Sequence, residues 1–207
     1  MKGKCFIFGA LPVSRLVEAP AQGDLVIAAD KGYDVALSLG IVPDLAVGDF
    51  DSRGEAPDGV EVVRLNVRKD DTDTQHAAEI ALGRGYRDFV IYGAAGGQLD
   101  HTLGNIAVAE RIADRGGRAV FYGDESSFTV IRSGSFHLPP QGCGRVSVFS
   151  LTEISCGVTI RGLSYETEGI DLPRATTLGV SNAFIGKEAM ITVADGTLLI
   201  VWENRIE

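Results

Sequence analysis

Two aspartates, two residues apart, follow an apolar run in Pro43-Asp44-Leu45-Ala46-Val47-Gly48-Asp49-Phe50-Asp51-Ser52. If the backbone stays extended past Gly48, side chains alternate and Asp49 and Asp51 point to the same side. Like charges held together repel unless a cation lies between them, and hard carboxylate oxygens suit Mg²⁺. The competing reading is a turn whose aspartates cap a helix or bond to local backbone. A second acidic cluster, Arg68-Lys69-Asp70-Asp71-Thr72-Asp73-Thr74-Gln75, opens a predicted helix. Asp70, Asp71 or Thr72 would be its N-cap, and acids in a first turn complement the helix dipole. Capping does not account for Arg68 and Lys69 immediately before the acids. A basic pair beside carboxylates at a helix N-terminus suits a metal and a phosphate together.

A third segment, Gly93-Ala94-Ala95-Gly96-Gly97-Gln98-Leu99-Asp100-His101-Thr102-Leu103-Gly104-Asn105, joins a predicted strand to a predicted helix. Glycines such as Gly96 and Gly97 let backbone N–H groups approach a phosphate closely. The segment matches neither a Walker A loop nor GxGxxG. Asp100 and Gly104 share one helix face, as do His101 and Asn105. His101 reads as a hydrogen-bonding group beside a site rather than as a metal ligand. The fourth segment, Ala28-Ala29-Asp30-Lys31-Gly32-Tyr33, repeats the order strand, acid, glycine, helix. By itself it is no more than a capped helix start. His76 and His137 have no recognisable partners in the sequence, and no Ser–His–Asp or Cys–His signature is present.

These segments need elements to hold them. Runs at 5–10, 25–29, 45–47, 60–65, 89–92 and 119–122 read as strands of Val, Ile and Phe without polar alternation, the pattern of strands buried on both faces of a parallel sheet. Helices are predicted at 33–39, 74–82 and 100–115, each ending close to a glycine. Alternation at this spacing predicts an α/β, doubly wound domain over residues 1–125, whose ligands bind outside the carboxyl ends of the strands. From 126 to 207 the predicted elements are strands only, at 128–131, 136–138, 145–151, 157–161, 189–193 and 197–202. The link Ala194-Asp195-Gly196 predicts a hairpin between the last two. The expectation is a second, all-β domain, a small β-sandwich.

Bulk properties narrow the classes. With 45% hydrophobic and 23% charged residues among 207, the chain has the composition of a globular protein. Its net charge of −9 argues against a nucleic-acid partner, which demands clustered Lys and Arg. No apolar run approaches the length of a membrane helix. Residues 1–8 are expected to form the first strand rather than a signal peptide, because Asp24 and Asp30 follow too soon. Three dispersed cysteines, Cys5, Cys143 and Cys156, point to no zinc site or disulfide framework and fit a reducing cytoplasm.

Taken in order, the segments resemble the thiamine pyrophosphokinase family, whose pattern runs ADGG, PDLxxGDFDS, KDxTDT, GGRxDHxLxN and a late GxSN. Here these stand as Ala29–Gly32, Pro43–Ser52, Lys69–Thr74, Gly96–Asn105 and Gly179-Val180-Ser181-Asn182. Lys31 departs from the first glycine of the pair, and Gln98 stands where arginine is common, removing a cation expected near nucleotide phosphates. The resemblance implies a Rossmann-like N-terminal domain, a β-sandwich C-terminal domain and a cytoplasmic homodimer with thiamine bound at the interface between chains. It implies diphosphoryl transfer from Mg-ATP to the thiamine hydroxyl. By the same resemblance Asp49, Asp51 and Asp73 hold the metal, and Asp30 and Asp100 stand near the nucleotide and the reacting hydroxyl. Lys31, Lys69, Thr72, Gly96, Gly97, His101 and Asn105 fall to the nucleotide side. Tyr165 matches the position that stacks on the thiamine pyrimidine, with Ser181 and Asn182 at its polar edge; from the residues alone Tyr165 reads as an ordinary strand residue. Two rival functions remain: a metal-dependent phosphohydrolase, and a non-catalytic thiamine- or nucleotide-sensing module.

Overall fold

The apolar runs at 5–8, 25–29 and 45–48 become strands that water does not reach. A computed structural model of the chain describes residues 2–50, 59–65 and 71–204. By contact density it divides into two units, Met1–Asp124 and Glu125–Glu207.

In the first unit, β1 (Cys5–Phe8), β2 (Leu25–Ala29) and β3 (Leu45–Gly48) are buried at every residue. Full burial of one such aliphatic or aromatic side chain stabilises the fold by about 1.5–3 kcal/mol. With β4 (Glu61–Arg64), β5 (Asp88–Tyr92) and β6 (Arg118–Tyr122) they form an all-parallel sheet in the order β6-β5-β1-β2-β3-β4. The helices are α1 (Gly32–Ser38), α2 (Asp73–Gly83) and α3 (Leu99–Asp114). Phe6, Phe8, Val26, Val90 and Tyr92 form a core cluster with Ala36 of α1. The chain runs outward from β1 to β4, then returns through α2 to β5 on the other side of β1. Right-handed crossovers therefore place α2 and α3 on the opposite face from α1. The crossover from β1 to β2 carries no helix. It is pinned by the Tyr92 hydroxyl, which accepts from the N–H groups of Val17 (3.0 Å) and Glu18 (2.9 Å) and donates to the Glu18 carbonyl. Burial pushes the Tyr92 phenol pKa up, so the hydroxyl keeps the proton it donates.

The second unit is built on two long antiparallel strands, β7 (Ser126–Leu138) and β12 (Ala189–Glu203), paired from end to end. This corrects the hairpin expected at 194–196 and the separate strands expected at 128–131 and 136–138. Asp-Gly signals a bulge as well as a turn. Here the register breaks between Val193 and Thr197, and Gly196 has φ 116°. A Cβ at Gly196 would lie 2.8 Å from the Ser155 hydroxyl, so only glycine fits. On either side of the bulge β12 changes partners. Its first half pairs with β9 (Ile154–Arg161) and its second with β8 (Arg145–Ser150). Two further strands complete the unit, β10 (Thr167–Pro173) on β9 and the two-residue β11 (Asn182–Ala183) on β8. Neither was expected from the sequence.

Candidate functional site

The connections after β1, β2 and β5 meet the N-terminus of α2 around a cavity of about 610 Å³. It lies where the strand order reverses, with β1 between β2 and β5, the position at which open α/β sheets bind ligands. Its lining includes Asp30 and Lys31, Thr72 and Asp73, Gly96 and Gly97, and His101 and Asn105. Three of the four sequence clusters thus contribute to one cavity.

Local chemistry explains the placement. After β2 the chain turns at Asp30 with φ 48°, an unfavourable conformation for a residue with a Cβ. Gly32 then begins α1 so close to β1 that a Cβ there would lie 1.8 Å from the Phe8 carbonyl oxygen. The preceding position has no such restriction: Lys31 is exposed. Thr72 is the N-cap of α2, its hydroxyl accepting from Gln75 N at 3.2 Å, which leaves Asp73 in the first helical turn. Gln98 is the N-cap of α3 and supplies no side-chain cap, so the helix start, apart from the His101 N–H that the Asp100 carboxylate takes, is open to an anion.

The glycine loop is held by its own helix. Asn105, 8% exposed, donates to the Ala94 carbonyl at 2.7 Å, and Thr102 donates to the Gly96 carbonyl at 3.0 Å. Sequence reasoning missed Thr102, as well as Gly9, Ala10, Leu11 and Thr74, which also line the cavity. One signal was available for Gly9: like Gly48, it ends a continuous apolar strand.

Asp100 is exposed on the first turn of α3, and its carboxylate accepts from His101 N at 2.9 Å. Among the described residues the lining passes from Gln98 to His101 without it. Asp49 follows β3, beside Gly48, where a Cβ would sit 3.2 Å from the Asp30 Cα. The extended backbone expected between Asp49 and Asp51 is not found: Phe50 is buried with φ 57°. Same-side alternation therefore does not apply there. Asp51, Arg68, Lys69 and Asp70 lie outside the described residues. Among the described residues, no three acidic, His or Cys side chains stand together as a metal-binding group. Asp30 and Asp73 nevertheless give the cavity hard oxygen donors of the kind Mg²⁺ prefers.

A separate cleft of about 310 Å³ lies within the second unit, lined by apolar side chains of β8, β9 and β10 together with Tyr165, Val180 and Asn182. Glu166 and Thr167 also line it, and the buried Thr167 hydroxyl has no hydrogen-bond partner among the described residues. Tyr165 is not a strand residue: it sits in the bend between β9 and β10, 72% exposed. Asn182 is buried, and Ser181 before it has φ 63°.

Comparison with known proteins places the chain in a family. Residues 18–121 match the family model described as thiamin pyrophosphokinase, catalytic domain, and residues 136–198 match thiamin pyrophosphokinase, vitamin B1 binding domain. A thiamine pyrophosphokinase of Bacillus subtilis is 27% identical over 186 residues, covering 86% of each chain. The crystal structure of the Bacillus subtilis protein superposes with a TM-score of 0.85 at 24% identity, covering 99% of this chain and 100% of that one. That of the Geobacillus thermodenitrificans protein gives 0.80 at 25%, covering 98% of each. The Candida albicans enzyme, only 14% identical, still gives 0.75 over 98% of this chain and 90% of its own. With a catalytic and a vitamin B1 binding module in one chain, this protein belongs to the thiamin pyrophosphokinase family, enzymes that make thiamine diphosphate by pyrophosphate transfer.

Proposed function

We infer that the diphosphate donor is Mg-ATP, bound in the 610 Å³ cavity of the first unit, and that thiamine is bound by the second. The observation that carries this reading is the convergence of Asp30, Lys31, Asp73 and the Gly96-Gly97 loop on one cavity at the carboxyl ends of the strands. It supports a Rossmann-like, doubly wound reading of that sheet. We assign residues 1–125 to catalysis and nucleotide binding, and residues 126–207 to thiamine.

In the proposed reaction the thiamine hydroxyl attacks the β-phosphorus of ATP in line. An oxygen–phosphorus bond forms, the bond from the β-phosphorus to the oxygen bridging it to the α-phosphorus breaks, and AMP leaves with that oxygen. The hydroxyl proton passes to a carboxylate. Asp73 and Asp100 are the candidates, and of the two Asp73 lines the cavity. The glycine loop and the uncapped start of α3 offer N–H groups to phosphate oxygens, while Lys31 and Lys69 supply cations. Thr72, His101 and Asn105 shape the nucleotide side: Asn105 holds the loop, Thr72 caps α2, and His101 offers a ring nitrogen. When bound, Mg²⁺ on Asp49, Asp51 and Asp73 would neutralise charge on the transferred phosphates. Catalysis by this chain is mostly positioning and charge complementarity.

On the acceptor side Tyr165 stacks on the pyrimidine ring, and the Ser181-Asn182 segment faces its polar edge. The nucleotide candidates all lie in the first unit and the thiamine candidates all in the second. This division supports a homodimer in which each active site joins the first unit of one chain to the second unit of its partner. No described helix is long and apolar enough to cross a membrane.

Incubation of the purified protein with ATP, Mg²⁺ and thiamine tests the reaction. AMP and thiamine diphosphate should form together, and neither should form when thiamine is omitted. AMP released without thiamine would instead identify a hydrolase. Subunit mixing tests the shared sites. An Asp73→Asn chain, slow in turnover, and a Tyr165→Ala/Asn182→Ala chain, weak for thiamine, are assayed at limiting thiamine. After exchange in equal amounts they should gain up to about a quarter of wild-type activity over the unexchanged chains, because half the dimers are mixed and each holds one intact site. A mixture shown to exchange subunits that gains nothing would exclude sharing.

A further inference from the structure

The segments that carry Tyr165 and Asn182 lie side by side. Leu163 and Phe184 form an isolated antiparallel bridge, and Ser164 N donates to the Ala183 carbonyl at 2.9 Å. At the end of this short pairing, the Asn182 side chain takes hold of the Tyr165 backbone. Its Oδ1 accepts from Tyr165 N at 2.9 Å, and its Nδ2 donates to Tyr165 O at 2.6 Å. The same Oδ1 also accepts from Ala183 N at 2.9 Å. An amide side chain has two acceptor and two donor positions, so one N–H is left for anything else. Asn182 is 7% exposed, whereas the aromatic side chain it anchors is 72% exposed.

The anchor is itself fixed to β8. Val148 N donates to Gly179 O at 2.8 Å, and Ser181 N donates to Ser147 Oγ at 3.1 Å. Ser181 takes its strained φ of 63° between those contacts and Asn182. Only an amide can both accept from the N–H and donate to the C=O of one residue: aspartate lacks the donor, and serine is too short for both. Fixing the backbone beneath an exposed aromatic lowers the ordering cost when a ligand lands on it.

We propose that Asn182 is a positioning residue whose contribution to thiamine affinity runs through Tyr165, which its side chain grips by both backbone groups, rather than through a contact of its own with thiamine. This rests on the proposed stacking of Tyr165. A double-mutant cycle on the full-length enzyme tests it, with thiamine affinity read by calorimetry, ATP affinity as the control, and thermal melts to verify folding.

Asn182→Ala should weaken thiamine about three- to tenfold and leave ATP affinity unchanged; in a Tyr165→Ala background it should add less than about 1.5-fold. If Asn182→Ala does not fold, Asn182→Asp replaces it. Aspartate keeps both accepting contacts but sets a carboxylate against the Tyr165 carbonyl, and the same non-additivity is expected. Losses that multiply would overturn the inference and leave the stacking intact, because Asn182 would then touch thiamine itself. Unchanged thiamine affinity in the Asn182 variant would also overturn it. If Tyr165→Ala alone has no effect, the stacking reading fails, and the positioning role falls with it.

Discussion

The loops of the first unit and the bend that carries Tyr165 in the second hold their side chains by different means. In the first, Asp30 and Asp49 each come directly off the end of a fully buried parallel strand, and Asp73 sits in the first turn of α2. The positions of these groups follow from the sheet and its crossovers. In the second, Tyr165 is part of no strand or helix and is held by one buried amide on a neighbouring segment. Both regions use strained backbone. Of the four non-glycine residues at positive φ among the described residues, Asp30, Phe50 and Ser181 fall in or next to proposed site segments. Such strain persists where the surroundings fix it, and it clusters at functional sites. The comparison teaches that a carboxylate at a strand end inherits its position from the fold, whereas an exposed aromatic on a bend needs its own anchor.

Damage to the first region should therefore cost rate, and damage to the second should cost affinity. The largest effect is expected for Asp73→Asn, which keeps shape and helix position but removes charge from the cavity. Turnover should fall by about a hundredfold or more, the usual loss when a preorganised charge-stabilising group is removed. The melting temperature should change little, since Asp73 is only half-buried in a first helical turn. Near-normal turnover would take Asp73 out of the site. A smaller effect is expected for Tyr165→Ala: several-fold weaker thiamine binding with ATP binding nearly intact, in line with about 0.5–1.5 kcal/mol for aromatic stacking beyond burial. A rate defect without an affinity defect would erase the contrast between the regions.

The two regions also differed in how far they could be read from sequence. The parallel strands were legible because their apolar runs are continuous, and the cavity residues because acids and glycines follow those runs directly. The second unit defeated local reading at three points. β10 carries Glu168, Gly169, Asp171 and Pro173, a composition poor in strand formers, and it lies at the end of the strand order where only β9 pairs with it. Gly196 answers to a close approach by Ser155, 41 positions earlier in the chain, which no local pattern records. The backbone of Tyr165 is held by hydrogen bonds to Asn182, again a contact between distant positions. In the first unit the same limit touched Phe50, whose left-handed backbone breaks the alternation that a strand-like DxD would have given.

The smallest effect sharpens the comparison within the first region, by separating charge from position. Lys31 is the one lysine or arginine among the described residues lining the cavity, and it has no ion-pair partner among them. It stands beside Gly32, which the close approach to Phe8 makes irreplaceable, but at a position where a side chain is free to extend. Gln98 lines the same cavity without charge. Lys31→Ala should therefore raise KM for ATP about two- to fivefold at low salt, with kcat and KM for thiamine nearly unchanged, because an exposed cation acts through a screened interaction. Raising the ionic strength should shrink the gap between wild type and variant. Adding Gln98→Arg to Lys31→Ala should recover part of the lost ATP affinity, since it returns a cation to the same lining. A KM for ATP that ignores Lys31 would take that side chain out of nucleotide binding and leave the work to the glycine loop, the start of α3 and Lys69. A gap that salt does not narrow would show that Lys31 acts by packing rather than by charge.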